Sequence, residues 1–243
     1  MPTLLLRLEG PMQAWGDESK FEHRRTRREP TKSGVIGLLA SALGRSRTES
    51  IEDLSALRFG LRVDREGVGT ANYDYQITRA AKKTKAGYVE AGYGEYELED
   101  KQTVLSYRYY LYDASFVAGL EGDGNLLGAI AQALQYPMWA PFLGRRSCPP
   151  SKPLLISIVD ERLEDALRRV PLSARQGYRA EGQQIRYCVE VDKDGDMVYT
   201  QMDMPITFDK QRRRFANRRV HEYYEEATIA NQSRAEHDPM AVL

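Results

Sequence analysis

The alternation of strand-length and helix-length runs is what most constrains this chain. Residues 3–8 form a short apolar run closed by Gly10-Pro11, the length of one strand. Thr31 or Ser33 caps a helix predicted over 32–43, where Val35, Ile36, Leu38, Leu39, Ala42 and Leu43 recur at helical spacing and Gly44 stops it. Residues 58–64 alternate as a strand, with Phe59, Leu61 and Val63 on one face and Arg58, Gly60, Arg62 and Asp64 on the other. A strand over 113–121, a turn at Gly122-Asp123-Gly124-Asn125, an amphipathic helix over 126–134, an extended loop over 136–153 and a strand over 153–159 follow. The order β-α-β, excursion, β-α-β is that of a split βαβ unit, which predicts an α+β, ferredoxin-like fold.

The excursion, residues 67–110, is rich in tyrosine, glycine and charge, with strand-like pieces at 71–78 and 102–112. A segment this long inside a domain is usually functional or disordered, and it reads as a protruding β-hairpin. After the second βαβ unit come a helix near 161–170, a strand near 185–191, an Asp194-Gly195 hairpin turn and a basic tail. The expected division is a domain over 1–160, carrying the insertion at about 67–110, and a small C-terminal region over 161–243.

Hydrophobic residues make up 42% of the 243, enough to bury a core. No apolar run approaches the roughly 20 residues of a spanning helix, and no charged-then-apolar leader opens the sequence. Cys148 and Cys188 form no CxxC pair, so neither a disulfide framework nor a zinc site is expected and a cytoplasmic setting is the default. Net charge is zero, with 35 basic and 35 acidic residues, but the bases cluster. Residues 20–32 contain His23-Arg24-Arg25-Thr26-Arg27-Arg28, residues 79–85 hold four bases and no acid, and residues 210–219 hold six bases and no acid. One such cluster reads as a solvated face; three beside aromatics make a polyanion partner plausible.

Enzyme motifs do not emerge. The glycines at 122, 124 and 128 miss the dinucleotide spacing by one, and GxxxxGK[ST], GxSxG and HExxH are absent. Asp192-Lys193-Asp194-Gly195-Asp196 has its glycine too early for a calcium loop. The three histidines, His23, His221 and His237, form no ligand spacing, so no metal or other cofactor is expected. His23 with Tyr73, Tyr107 or Lys32 would supply the acid and base of a metal-independent ribonuclease if the fold brought them together. Tyr73, Tyr75, Tyr88, Tyr93, Tyr96, Tyr107, Tyr109, Tyr110 and Tyr112 are nine of the fifteen tyrosines, and bases such as Arg79, Lys82, Lys83, Lys85 and Arg108 lie among them. Cations along a backbone and aromatics under splayed bases are how single-stranded RNA is held; a tyrosine-rich hairpin packing on its own sheet is the plainer account.

Four ordered strings narrow the choice: Gly10-Pro11-Met12-Gln13-Ala14-Trp15-Gly16, residues 29–39 (EPTKSGVIGLL), Tyr112-Asp113-Ala114-Ser115-Phe116, and residues 141–149 (PFLGRRSCP), with Arg214-Phe215-Ala216-Asn217-Arg218 as a fainter echo. In this order they resemble the CasD-type subunits of type I-E CRISPR Cascade, the fifth Cas family of the RAMP superfamily. The resemblance covers residue 1 to about 224. It implies an RRM-like ferredoxin fold with a thumb hairpin and a small C-terminal part. It also implies a non-catalytic, cytoplasmic, RNA-binding subunit of an antiviral complex. Such a chain would cap the 5′ handle of the crRNA, contact the large subunit and the terminal backbone subunit, and meet target DNA only indirectly, with no membrane involved. Relatives that cut RNA use a tyrosine with adjacent lysine and histidine, and no Lys-His pair occurs here. The alternative is a metal-independent repeat endoribonuclease of the same superfamily.

On that reading the RNA-binding residues are Gln13, Trp15, Arg27, Arg28, Thr31, Lys32, Ser33, Arg108, Gly144, Arg145, Arg146 and Ser147. Gln13 would read a base edge and Trp15 offer a stacking face, or both would pin their loop onto the fold. Thr31, Lys32 and Ser33 would present hydroxyls, an ammonium and free N–H groups at a helix N-terminus. Gly144 would admit RNA closely, beside forked donors on Arg145 and Arg146 and the hydroxyl of Ser147. Cys148 is expected to pack rather than react.

Overall fold

The computed structural model describes residues 1–16, 22–67, 73–79, 83–84, 87–88, 103–172, 184–209 and 211–226. Along the chain these form β1 (Thr3–Glu9), β2 (Met12–Gln13), β3 (His23–Arg24), α1 (Lys32–Ala42), α2 (Glu52–Ser55), β4 (Arg58–Arg65) and β5 (Tyr73–Arg79). They continue with β6 (Lys83–Thr84), β7 (Gly87–Tyr88), β8 (Thr103–Tyr109), β9 (Leu111–Tyr112), β10 (Ser115–Glu121), α3 (Gly124–Gln135) and β11 (Leu155–Val159). The last are α4 (Leu163–Arg169), β12 (Gln184–Val191), β13 (Val198–Thr207) and β14 (Arg214–Glu226).

Seven strands make one sheet in the order β11-β1-β10-β4-β12-β14-β13, every neighbouring pair antiparallel. Over β1 and β10 both faces are covered, which is why these two strands are nearly continuous apolar runs. Leu4, Leu6 and Leu8 of β1, Phe59, Leu61 and Val63 of β4, and Phe116, Ala118 and Leu120 of β10 share one core with Val35, Ile36 and Leu39 of α1 and Leu127 and Ile130 of α3. Leu5 and Val117 point the other way, into a second core with Leu163, Ala166 and Leu167 of α4. Gly60 and Gly119 stand opposite each other in the register. A Cβ on either would meet Leu163 or Leu167 within 3.1 Å, so the missing side chains let α4 lie flat on the sheet. Arg62, on this face, is buried and paired with Asp64 at 2.6 Å, and it donates to the Leu167 carbonyl at the end of α4 at 2.6 Å.

The helix boundaries follow local chemistry. Thr31 Oγ1 accepts from the Gly34 N–H at 3.1 Å at the start of α1. At its end Gly44, at φ +77°, closes a Schellman motif, with Gly44 N–H on Ser41 O and Arg45 N–H on Ala40 O. Asp123 caps α3 through the Leu126 N–H at 2.8 Å.

The C-terminal part departs from expectation. Asp194-Gly195 does not turn a hairpin between paired strands, because β14 lies between β12 and β13 and pairs with both. The basic tail is therefore partly an interior strand. Arg218 is buried and bonded to the fully buried Asp203 at 2.6 Å, a pairing that a count of bases cannot reveal. In the insertion, β5 and β8 pair antiparallel and β3 adds in parallel to β8, giving a three-stranded sheet. β6 and β7 pair antiparallel within the insertion. Residues 68–72, 80–82, 85–86 and 89–102 of the expected thumb, with Tyr93 and Tyr96 among them, lie outside the described residues, as do residues 227–243. No described helix is long and apolar enough to cross a membrane.

Candidate nucleic-acid interface

The four sequence strings meet in one knot beside the small sheet. β2 pairs with β9, Met12 facing Tyr112 and Gln13 facing Leu111. The Gln13 Nε2 donates to the Leu8 and Ala114 carbonyls at 3.0 and 2.8 Å, and Gln13 Oε1 accepts from Trp15 Nε1 at 3.0 Å. The Ala14 N–H donates to the Leu143 carbonyl at 3.1 Å, which brings in the late loop. A Cβ on Gly34 of α1 would lie 2.8 Å from the Trp15 ring, so the helix presses on the indole.

This geometry sorts the expected RNA-binding residues. Gln13 and Trp15 are buried with their polar atoms engaged inside, so neither offers an edge or a face to a base. The helix terminus is also closed to phosphate. The Lys32 N–H donates to Asp203 at 2.8 Å, so the protein's own carboxylate sits where an anion would. The Lys32 side chain is 1% exposed and paired with Glu190 at 2.8 Å; burial lowers its pKa while Glu190 opposes the shift. Thr31 and Ser33 are buried in the same turn, Ser33 Oγ donating to Thr31 Oγ1 at 3.3 Å. Gly144 is a glycine for an internal reason: it holds φ +83° against the Ala14 backbone. Cys148 is fully buried, and burial pushes its thiol up, as suits a packing residue.

Arg108, Arg145, Arg146 and Ser147 lie around the junction of the late loop with β8 and β3. Arg145 spans three segments, donating to the Tyr109 carbonyl at 3.0 Å and the Arg24 carbonyl at 2.6 Å while its guanidinium lies 4.7 Å from the Tyr110 ring centre. It fixes the loop to β8 and β3. Arg146 and Ser147 beside it are exposed, with Ser147 Oγ 3.4 Å from Tyr110 Oη. Arg108 is half-buried in β8, in register with the exposed Arg24 of β3, so the two share a face of the small sheet. The opposite face is aromatic. His23 stacks on Tyr107 at 4.9 Å with planes 13° apart, and Tyr73 and Tyr75 meet Tyr107 at 5.1 and 5.4 Å. Tyr73, Tyr75 and Ile77 are all exposed along β5. A row of exposed rings backed by cations is chemically a stacking platform for single-stranded nucleic acid. Only the tyrosine density signalled it, since nothing in the spacing paired β3 with β8.

Arg27 and Arg28 face a different feature, a cleft of about 500 Å³ that they line with Thr26, Glu29, Glu66, Arg186, Glu222 and Tyr224. Arg186 binds Glu29 at 2.7 Å and lies 3.5 and 3.6 Å from Glu222 and Glu66. Burial would pull the Arg186 guanidinium down, but Glu29 first, with Cys188 and Glu222 behind it, holds it well above its usual value. Beneath it, burial, reinforced by Glu29, pushes the Cys188 thiol up to about 12. Residues 27–29 were visible as part of a charge cluster, but their partners at 186 and 222 arrive only through β12 and β14. No group of three or more metal-ligating side chains forms among the described residues.

Comparison with known proteins fits this architecture. The family model described as CRISPR-associated protein (Cas_Cas5) matches residues 3–221. The CRISPR system Cascade subunit CasD of Escherichia coli (strain K12) is 36% identical over 165 residues, which span 63% of this chain and 69% of that protein. A crystal structure of a Cas protein superposes with a TM-score of 0.66 at 36% identity, covering 91% of this chain and 94% of that one. A CRISPR RNA-guided surveillance complex superposes with a TM-score of 0.73 at 30% identity, covering 94% of this chain and 95% of its own. The chain, with its mixed α/β architecture built on mostly antiparallel sheets, belongs to the Cas5 family of CRISPR-associated proteins.

Proposed function

We propose that this chain is a non-catalytic, RNA-binding subunit of a type I-E CRISPR Cascade surveillance complex, gripping the 5′ handle of the crRNA. The observation that carries the reading is that Arg145 ties the loop bearing Arg146 and Ser147 to β3 and β8, which bear Arg24 and Arg108, with the Tyr73, Tyr75 and Tyr107 rings on the same small sheet. The family resemblance and the surveillance-complex neighbour support it. Other Cascade subunits, the large one and the terminal backbone one, would be its protein partners, and target DNA would reach it only through them. We read the core as a ferredoxin-like RAMP fold: β11-β1-β10-β4 is the antiparallel order that a split βαβ unit produces, with α1 and α3 on one face. In an RRM the other face carries RNA, but here α4 occupies it, so the RNA is assigned to the loop junction and thumb instead.

A labelled repeat RNA incubated with the purified chain in EDTA tests this, scored for both retention and cleavage. Intact RNA should be retained, and Arg108→Ala with Arg146→Ala should weaken binding by roughly tenfold or more while flattening its salt dependence. Binding unchanged by that pair would sink the junction.

One observation favours the second reading, a metal-independent endoribonuclease: the fold does gather His23, Tyr73 and Tyr107. Lys32, the lysine that would complete such a set, is locked inside against Glu190. Cleavage in EDTA that disappears in His23→Ala would establish this reading over the first.

A further inference from the structure

The outward surface of α3 and the turn that follows it combine apolar exposure with almost no charge. Charged residues make up 29% of the chain, yet between residues 122 and 144 the only one is Asp123. The exposed positions of α3 are Gly124, Asn125, Gly128, Ala129, Gln132 and Gln135, small or neutral, with open space above Gly128. Immediately beyond the helix stand Tyr136, Met138 and Trp139, respectively 82%, 68% and 63% exposed. Three such side chains offer on the order of 400 Å² of apolar surface, the size of patch that marks an interaction site on a soluble protein.

The turn is held in place rather than dangling. The Met138 N–H donates to the Ala42 carbonyl at the end of α1 at 2.9 Å. A Cβ on Gly44 would lie 3.0 Å from Met138 Cγ, so the methionine stem is seated over the closing glycine of that helix. The backbone that carries the aromatic rings is therefore fixed before binding, which lowers the ordering cost of an interface anchor.

We infer that α3 and the 136–139 turn form the docking surface for a neighbouring protein subunit with an apolar, uncharged face. This rests on the proposed role as a subunit of a multi-protein complex. Neutrality selects the occupant: nucleic acid binding requires cations, and none lies between residues 122 and 144. Aromatic and methionine enrichment with depleted charge is the composition of a protein–protein interface core. The position also suits a neighbour at the RNA end. Trp139 and Arg145 are six residues apart on one loop, at most about 20 Å, so a protein seated on the rings stands next to the basic junction.

The test uses the assembled ribonucleoprotein purified through this chain, beside the free chain. A photoreactive benzoyl-phenylalanine at position 139 should cross-link to another protein subunit, and hydroxyl-radical oxidation of Tyr136, Met138 and Trp139 should fall about fivefold or more on assembly and stay low after RNase digestion. Tyr136→Ser with Trp139→Ser should lower the share of chain found in complexes while leaving retention of repeat RNA by the free chain at the wild-type level. Equal oxidation in both states, or a cross-link to RNA or to a second copy of this chain, overturns the docking surface and leaves the RNA-binding role standing. A chain that assembles with no protein at all overturns both.

Discussion

Gly144 and Ala14 approach so closely that a Cβ on Gly144 would lie 1.7 Å from the Ala14 carbonyl oxygen. The neighbour is backbone, fixed by the Ala14 N–H on the Leu143 carbonyl at 3.1 Å, and cannot swing aside. Gly144 also holds φ +83°, where an L-residue is strained. Gly144→Ala should therefore cost on the order of 3 kcal/mol or more, read as a drop in urea midpoint at unchanged m-value. Gly128→Ala is the matched control: it sits in α3 with nothing within 4 Å and should raise stability by about 0.5–1 kcal/mol. Similar responses at the two positions would refute the close approach.

The buried pair Gln13 and Trp15 separates packing from binding. Trp15→Phe keeps a ring against Gly34 but leaves Gln13 Oε1 without its donor at 3.0 Å. The expected loss is about 1–3 kcal/mol for an orphaned buried acceptor. Affinity of the folded variant for repeat RNA should not change. A selective loss of affinity, with stability intact, would return Trp15 to the interface.

The periodicity of residues 3–8, 32–43, 58–64 and 113–121 made the central strands and first helix legible, since each buries a face whose spacing is written locally. What could not be read was where side chains go once strands far apart in sequence are paired. Gln13, Trp15, Thr31, Lys32 and Ser33 have the chemistry of RNA contacts, and their inward direction is set by β9, by α1 and by Asp203 in β13. Arg218 looked like part of a basic tail until β14 entered the sheet between β12 and β13. Arg146 and Ser147 stayed at the surface because Arg145, between Gly144 and Arg146, bears the anchoring bonds. Within one tripeptide motif, the sequence alone does not say which arginine is structural.

Asp203 is the buried anion on which two elements depend. It accepts from Arg218 at 2.6 Å and from the Lys32 N–H at the start of α1 at 2.8 Å. Asp203→Asn removes the charge and leaves Arg218 buried without a counter-ion, so the expected cost is about 3–5 kcal/mol. Hydrogen exchange should show the first turn of α1 losing protection beyond the global change. An unaffected first turn would mean that Asp203 serves Arg218 alone.

Alkaline stability should report on Cys188. Burial, with Glu29 next and Glu222 further behind, raises its thiol from 9.0 to about 12, opposed by Arg186. The folded state thus holds a proton that the unfolded chain releases. A raised acid contributes stability that is fully present below the unfolded value and is lost as pH climbs toward the folded one. The window is accordingly pH 9 to 12, and by pH 10 the loss from this one group is about 1 kcal/mol. Cys148, raised in the same direction, adds to it, whereas Lys32, lowered by burial, works in the opposite sense. These groups and the raised Tyr187, Tyr199 and Tyr223 are common to the wild type and Cys188→Ala, so the difference between the two reports Cys188 together with its coupling to Tyr199. Urea midpoints measured at pH 8, 9 and 10 should fall more steeply in the wild type than in Cys188→Ala. Parallel decline in the two proteins would show that the thiol ionises as readily folded as unfolded, and that the floor of the Arg186 cleft is open to water.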